Sequence, residues 1–453
     1  MHASESGSSG AAARAGGGGA GPGGVPAPGL SAEARAAGVP ASGPSAEAPA
    51  ATPSGAGRLE RVRAWLGLER NIVLVSGAML LLGLGENLWK RFVPKYLEAL
   101  GAPVVAIGAY GSAEDLLDGL YQYPGGWVAD RFGRRAALLL FVSLAGVGYV
   151  TYLVAPSWPW AFPALALVLV WSSMASPTLF AVVGDALPKG RRAMGFTVQS
   201  MLRRLPIMVA PTLGGLLIAA FGLRGGVRAG LGLTVALTVP TLALATRVRI
   251  PRLTGGERAD IRSVWRSLPA ALRWLLASDI LIRACEGLVD IFVVLYATNV
   301  IGIDAPRYGL LVAIEMATAI VVYVPAARIV DRTGPTGRKL FVTLTFVAFS
   351  LFPLAVVGAH GFATLAGAFV VGGLREIGEP ARKALIVDLA EPHLRARSVG
   401  LYYLIRSAAI APAAFVGGLL WRVGPAVPFH VAAGIGLAGT AVFIATVKEE
   451  GVA

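Results

Sequence analysis

Acidic and basic side chains lie in the middle of long apolar segments of this sequence. The ten positions that we single out as candidates for binding a solute or carrying a proton are Glu86, Glu114, Asp118, Arg203, Arg283, Glu286, Glu315, Arg375, Glu379 and Arg406. A charge inside hydrocarbon is costly, so it normally faces a cavity or an opposite charge. We therefore expect these side chains to line one polar path through an apolar protein.

The spacing of these charges places several of them on one helix face. In one apolar segment, helical periodicity forms a single stripe from Asp279, Arg283, Glu286 and Asp290. In another, Glu114 and Asp118 share a face, with Asp115 beside them. A carboxyl group in a low-dielectric setting can take up and release protons near neutral pH. Glu114 and Glu86 are therefore the first candidates for carrying protons.

A second interpretation of the same residues is structural. The acids would then only neutralise Arg203, Arg283, Arg375 and Arg406 in ion pairs. Because the acids and bases are about equal in number, the cavity that they line would suit a polar, zwitterionic or charged substrate better than an apolar one.

The composition indicates what kind of element must hold these residues. The chain has 453 residues, of which 55% are hydrophobic and 15% charged, and its mean hydropathy is +0.66. These values argue against a soluble enzyme or regulator. Once the low-complexity residues 1–57 are set aside, 396 residues remain, which is enough for roughly twelve membrane spans.

Twelve apolar segments of spanning length are predicted, and we call them spans one to twelve in chain order. Spans one to six cover 71–97, 104–123, 136–154, 161–184, 194–221 and 229–245. Spans seven to twelve cover 274–300, 308–327, 340–357, 362–387, 398–421 and 427–447. Spans three, six, nine and twelve have uncharged interiors, so we expect them at the periphery, away from the polar path.

The chain divides into four regions. Residues 1–57 form a low-complexity tail that we expect to be disordered, because it has too few large apolar side chains to fold. Residues 58–246 form the amino-terminal half and residues 274–453 the carboxyl-terminal half. Residues 247–273 form a polar, arginine-rich linker between the halves.

The two halves are copies of one unit. Marked residues recur at a separation of 200 to 203 positions, including Glu86 with Glu286, Glu114 with Glu315, Asp185 with Asp388, and Arg203 with Arg406. A slowly drifting offset of this kind indicates a duplicated six-helix unit. Parallel repeats of this type place a binding site between the halves, near the middle of the membrane.

The loops are asymmetric in charge. One set of loops holds most of the basic residues, including Arg131, Arg135, Lys189, Arg328, Arg338, Arg382, Lys383 and the linker arginines. The positive-inside rule then places both termini in the cytoplasm, with the chain in the cytoplasmic (inner) membrane. The net charge of +14 is thus explained by the membrane topology, so we expect no nucleic-acid partner.

The histidines show no metal-ligand spacing, and we expect a monomer without metal or cofactor.

A motif follows span two. The string Gly126-Trp127-Val128-Ala129-Asp130-Arg131-Phe132-Gly133-Arg134-Arg135 has a degenerate copy after span eight that begins with Asp331 and Arg332. In physical terms, Asp130 can accept hydrogen bonds from a helix amino terminus or pair with an arginine. The string resembles the cytoplasmic signature GxxxDRxGRR of the major facilitator superfamily.

The resemblance implies an all-α membrane fold of twelve transmembrane helices in two parallel six-helix repeats. It implies that Asp130 and Arg134 latch the cytoplasmic side, with Asp185 and Asp388 as further latch pieces. Pro211, Gly214 and Gly215 are similar to the family's antiporter motif GPxxGG, although Ala210 replaces its first glycine. A kink and close packing of span five are the alternative explanation. Span four lacks the arginine that the family's drug/proton exporters usually carry there.

These observations together predict a secondary transporter that exports a small solute by proton antiport. Proton-coupled uptake of a small polar solute is the alternative within the same class. A non-transporting membrane sensor or enzyme is the alternative from another class, but the sequence shows no clustered nucleophile and base to support it.

Overall fold

The computed structural model describes residues 70–174, 192–247, 268–390 and 395–447. All regular secondary structure in these residues is helical, and six of the helices are long and apolar enough to cross a membrane. The predicted fold class, an all-α membrane protein, is confirmed. The predicted tail, Asp185 and most of the linker lie outside the described residues.

The amino-terminal half consists of the helices Arg70–Trp89, Val93–Ala99, Val104–Phe132, Arg134–Val154, Ala161–Leu169 and Arg192–Arg247. A 3-10 turn over Lys90–Phe92 joins the two helices of span one. Spans five and six share the helix Arg192–Arg247, which turns at Gly222 with φ of 72°. Glycine adopts this left-handed conformation without the strain that a Cβ would cause.

The carboxyl-terminal half consists of the helices Ala270–Leu295, Ala305–Val357, Phe362–Leu374, Glu379–Leu389, Arg395–Ile410, Ala413–Trp421 and Val427–Thr446. Span ten is interrupted by a turn at residues 375–378, and span eleven by a turn at residues 411–412. Broken helices inside a membrane protein free polar backbone groups, so they occur where protein or a water-filled cavity surrounds them.

The halves pack closely at the end of the bundle that span one reaches at Ala99. We call the end where span one begins the near end, and the end where its helix finishes at Ala99 the far end. A Cβ added to Gly108 in span two would lie 2.5 Å from the carbonyl oxygen of Ala414 in span eleven. A Cβ on Gly309 in span eight would lie 2.4 Å from the carbonyl oxygen of Pro211 in span five. Small residues therefore permit backbone contact between the halves there.

Candidate functional site

A cavity of about 560 Å³ lies between the two halves. Its lining comes from spans one, two, four, five, seven, eight and eleven. Within the described residues, spans three, six, nine and twelve do not line it, in agreement with the expectation from their uncharged interiors. A cavity of this size is typical of sites for small molecules.

Span two supplies three carboxyl groups to the amino-terminal wall of the cavity. Glu114 forms an ion pair of 2.9 Å with Lys90, which the 3-10 turn of span one presents to the cavity. Asp118 accepts a hydrogen bond of 2.5 Å from the hydroxyl of Ser173 in span four. Asp115 has neither a hydrogen bond nor an ion pair with another described residue, and it faces span seven.

Glu86 lies deeper in the same wall and is only 8% exposed. Its Oε1 atom accepts a hydrogen bond of 2.9 Å from the hydroxyl of Tyr149. Behind it, the ring of Trp89 contacts the rings of Tyr149 and Tyr152 at centroid distances of 6.1 and 5.2 Å. These rigid aromatic contacts fix the position of the tyrosine hydroxyl that holds the carboxyl group.

The carboxyl-terminal half contains eight largely buried charged side chains that are connected by ion pairs, and we call them the carboxyl-terminal charge cluster; the exposed Lys383 contacts the cluster from outside. Its members are Asp279, Arg283, Glu286, Glu315, Arg375, Glu379, Arg382 and Arg406. Arg283 and Glu286 line the cavity, and the others lie around and behind them. The cluster joins spans seven, eight, ten and eleven.

Asp279 is the most connected carboxylate at the base of this cluster. Its Oδ2 atom lies 2.7 Å from Arg382 and 3.3 Å from Arg406, and it accepts a hydrogen bond of 2.9 Å from Tyr402. Its other oxygen lies 4.0 Å from Arg283. A buried charge needs several such partners to offset its lost hydration.

Arg283 and Arg375 connect the cluster to the cavity. Arg283 lies 2.8 Å from Glu286 and 3.3 Å from Glu379. Arg375, at the break in span ten, lies 3.4 Å from Glu286 and forms an ion pair with Glu315. The described acids of this half are thus engaged by arginines, as the structural interpretation of these charges requires.

Two pairs link the halves on opposite sides of the cavity. Towards the far end, Arg91 lies 3.7 Å from Asp290 in span seven. On the near side, Arg204 in span five lies 2.9 Å from Glu376 in span ten, with its guanidinium 5.1 Å from the ring centre of Tyr323. Any motion that opens either side must separate the pair on that side.

Arg382 corrects the sequence prediction. We expected it in a cytoplasmic loop, which is wrong. It lies in the helix Glu379–Leu389 and is 1% exposed, whereas its neighbour Lys383 has a side chain that is 57% exposed. The helix restarts after the break in span ten and turns Arg382 inward, where Asp279 and Glu379 neutralise it.

The predicted site residues fall into two groups. The cavity is lined by Glu86, Glu114, Asp118, Arg283 and Glu286, of which Arg283 and Glu286 also belong to the cluster. The cluster also contains four predicted residues that do not line the cavity: Glu315, Arg375, Glu379 and Arg406. Arg203 lies in the helix Arg192–Arg247, and its side chain is not among those described.

The ten candidates do not include four charged residues that also line the cavity: Lys90, Arg91, Asp115 and Asp290. Helical spacing places Asp115 and Asp290 beside candidate residues. A signal was available for two of them, since Lys90 and Asp290 are related by the same separation as Glu86 and Glu286.

The predicted gate is only partly described. Gly126, Asp130, Arg134, Asp331 and Arg332 lie in helices, but their side chains are not among those described. Gly133, with φ of 86°, separates the helices of spans two and three, between Arg131 and Arg135. In the carboxyl-terminal half, Asp388 accepts a hydrogen bond of 2.5 Å from Arg338.

The motif of span five lies in contact with neighbouring backbone. A Cβ on Gly214 would lie 1.7 Å from the carbonyl oxygen of Leu88, and one on Gly215 would lie 2.4 Å from that of Ala305. Pro211 offers its carbonyl to the close contact with Gly309. Packing against spans one and eight therefore accounts for small residues at these positions.

Three comparisons with known proteins agree with this architecture. The sequence model of the Major Facilitator Superfamily matches residues 75–285 and 275–452. Multidrug resistance protein MdtH of Salmonella paratyphi C (strain RKS4594) is 25% identical over 386 residues, covering 81% of this chain and 90% of MdtH.

Solved structures share the fold. A POT family transporter in complex with 5-aminolevulinic acid aligns with a TM-score of 0.68 at 14% identity, covering 85% of this chain and 95% of that one. The nucleoside transporter NupG aligns with a TM-score of 0.70 at 11% identity, covering 83% of this chain and 99% of that one.

Proposed function

The chain belongs to the Major Facilitator Superfamily, and we propose that it exports a small polar solute in exchange for protons. Membership makes the chain a multi-pass membrane transporter and not an enzyme. The direction of transport, the coupling to protons and the class of solute are our proposal. The observation that carries it is the cavity between the halves, whose wall holds carboxyl groups on spans one and two.

The carboxyl groups support coupling because they lie where a solute would bind. Glu114 is held by Lys90 and Glu86 by Tyr149, and both carboxyl groups line the cavity. A proton that binds to Glu114 would weaken its pair with Lys90 and change the charge that a solute meets. If a proton and a solute compete for the same carboxyl groups, binding of one releases the other. Such competition is sufficient to exchange protons for solute across the membrane.

The two cross-half pairs support alternating access. The Arg91–Asp290 pair lies towards the far end and the Arg204–Glu376 pair lies towards the near end. Rocking of the two halves about the cavity would open one side while the other stays closed. Each pair offers a discrete contact that is made in one state and absent in another.

Export is supported by one relative and one motif. The similar Salmonella protein is named a multidrug resistance protein, a name that fits removal of solutes from the cell. Pro211, Gly214 and Gly215 preserve most of the antiporter-like string in span five. The similar POT and nucleoside transporters make uptake of a polar solute the alternative, which the sign of proton movement distinguishes.

We also propose that the near end faces the cytoplasm, so that both termini lie inside and the chain resides in the inner membrane as a monomer. The basic side chains of Arg131, Arg135 and Arg328 are exposed at the near end. The positive-inside rule favours this orientation.

The test uses the full chain in proteoliposomes that contain a pH dye. Drugs, organic cations, amino acids, sugars and organic acids are added in turn, and the wild type is compared with Glu114→Gln. We expect a solute-evoked pH change that the substitution abolishes, because it removes one carboxyl group and frees Lys90 to neutralise the others in this wall. The sign of the pH change separates antiport from symport. The control Asp304→Asn removes an exposed carboxylate that caps span eight, a role that asparagine also fills. A pH response that Glu114→Gln leaves intact would contradict the proposed role of this carboxyl group.

A further inference from the structure

The charges of the cavity wall are not balanced. Three basic side chains line the cavity, and each is paired with a carboxylate: Lys90 with Glu114, Arg91 with Asp290, and Arg283 with Glu286. Every positive charge among the described lining residues is therefore already engaged.

Two carboxyl groups of the wall have no cation within ion-pair distance among the described residues. Glu86 and Asp115 form no ion pair with another described residue. Glu86 is 8% exposed, and the hydroxyl of Tyr149 engages only its Oε1 atom. The second oxygen of Glu86 has no hydrogen-bond partner among the described residues, and Glu86 lines the cavity. Lys90 attracts Glu86, but its ion pair is with Glu114. A largely buried carboxylate without an ion pair of its own is costly in its charged form, so a proton or a positive charge from outside the protein would stabilise it.

Asp115 lies on span two, in the same amino-terminal wall of the cavity as Glu86. A Cβ built on Gly287 of span seven would lie 3.8 Å from its Oδ2 atom, which shows that the carboxyl group points across the boundary between the halves. A ligand held by Asp115 would therefore contact both halves and would respond to their relative motion.

The remaining lining suits a cation as well. Tyr110, Trp171 and Tyr308 contribute aromatic side chains to the cavity wall. The faces of aromatic rings attract organic cations, and this attraction increases when water is excluded. An anionic ligand would find each basic side chain already paired, and it would have to displace a carboxylate to bind.

We propose that the solute is an organic cation whose positive charge binds at Glu86 and Asp115, in competition with protons. This inference rests on the proposed function and names the substrate class of that site. Binding of one monovalent cation releases one proton from these carboxyl groups, so the charge of the site is conserved. Affinity for the cation falls as the pH is lowered, because protonation removes the charge that binds it.

The experiment measures binding without transport. The purified full chain in weakly buffered detergent solution is titrated with tetramethylammonium, benzyltrimethylammonium and tetraphenylphosphonium, with benzyl alcohol as the neutral probe and phenylacetate as the anionic one. Calorimetry gives the affinity and a pH dye gives the protons released. We expect proton release with at least one cation and none with the neutral or anionic probe. The dissociation constant should rise by up to about tenfold for each pH unit that the solution is acidified.

Two variants locate the site. Asp115→Asn and Glu86→Gln should each weaken cation binding by about tenfold or more, because each removes a charge that faces the ligand. Asp115 has no described partner to lose, so its variant tests the proposal even where Glu86→Gln affects folding. The control Asp304→Asn, whose side chain is exposed, should bind as the wild type does.

The outcomes separate this inference from the proposed function. Failure of every cation to release protons, or wild-type affinity in both variants, would overturn the cation site. Proton-coupled flux of only neutral or anionic solutes in proteoliposomes would overturn it too, while leaving the proposed function intact. Proton release on cation binding without any flux would support the cation site and overturn the transport proposal.

Discussion

Arg382 and Asp279 form an ion pair of 2.7 Å in which the side chains are 2% and 0% exposed. The pair joins span ten to span seven just below the cavity, and Tyr402 and Arg406 of span eleven complete the contact. Three helices of the carboxyl-terminal half therefore meet at one carboxylate. This half is held together by charge as well as by apolar packing.

The first prediction concerns that pair. Arg382→Met should lower the free energy of unfolding by about 3–5 kcal/mol, because it leaves Asp279 buried with fewer partners. Unfolding of the purified protein in mixed micelles, followed by circular dichroism, measures the change.

The neighbouring residue provides the control. Lys383 lies 3.4 Å from Glu379 with its side chain 57% exposed, so Lys383→Met should cost no more than about 1 kcal/mol. Equal losses of unfolding free energy in Arg382→Met and Lys383→Met would show that burial does not make the Arg382–Asp279 pair more important for stability than an exposed pair.

The second prediction concerns the close contact between spans five and one. Gly214→Ala places a Cβ against the carbonyl oxygen of Leu88 and should destabilise the protein by about 1–3 kcal/mol through overpacking. Gly232→Ala adds the same methyl group in a helix at a position with open space, so it should be neutral or slightly stabilising. The thermal unfolding midpoints of the two variants compare them directly, and a neutral Gly214→Ala would exclude tight packing there.

The third prediction concerns the near-side link between the halves. Arg204→Gln removes the ion pair with Glu376 and the contact with the ring of Tyr323. We expect the near end to spend more time open, because a contact made only in its closed state is lost.

Spin-label distances measure that opening. The chain has one cysteine, so Cys285→Ser gives a clean background for labels at Phe132 and Leu340, both exposed near the near end. Arg204→Gln should shift the distance distribution to longer values. The control Arg307→Gln breaks an ion pair in which both side chains are more than half exposed, so it should not shift the distance distribution. An unchanged distribution in Arg204→Gln would show that the Arg204–Glu376 pair does not hold the near end closed.

The fourth prediction concerns the motif after span two. Asp130→Asn should alter the transport rate while membrane insertion stays normal, because the substitution removes a charge from the proposed latch and leaves the helices intact. Flux in proteoliposomes and membrane yield give the two readouts. A wild-type rate in this variant would exclude the latch.

The helices could be predicted because their signal is strong and local. Long apolar runs predicted the spans, and the uncharged interiors of spans three, six, nine and twelve marked four helices that do not line the cavity with any described residue. The rule has exceptions, because among the described residues the charged span ten does not line the cavity and the uncharged span four does. The interruptions inside spans are weaker signals. The turn at residues 375–378 precedes Pro380, which lies in the first turn of the restarted helix, a position that proline favours. The 3-10 turn at Lys90–Phe92 has the same kind of marker, because Pro94 lies in the first turn of the helix Val93–Ala99 that follows it.

The partners of the charged residues could not be predicted. Positive charges near the ends of spans were assigned to loops by position alone, and this placed Arg382 at the surface. Its partner Asp279 lies 103 residues earlier in the chain, and no local pattern connects the two. The charges could thus be found individually, whereas the fold was required to show that the cluster is paired and that Glu86 and Asp115 of the wall lack an ion pair with another described residue.

The carboxyl-terminal charge cluster holds four carboxylates and four guanidinium groups, so it is electrically neutral when all eight are ionised. Moving one elementary charge through 100 mV takes about 2.3 kcal/mol, but moving a neutral body takes none. The membrane voltage therefore does no net work on this cluster as the half rocks. If one proton leaves Glu86 or Asp115 for each monovalent cation that arrives, a full cycle transfers no net charge. The pH gradient alone, and not the voltage, would then set how steeply the solute is concentrated.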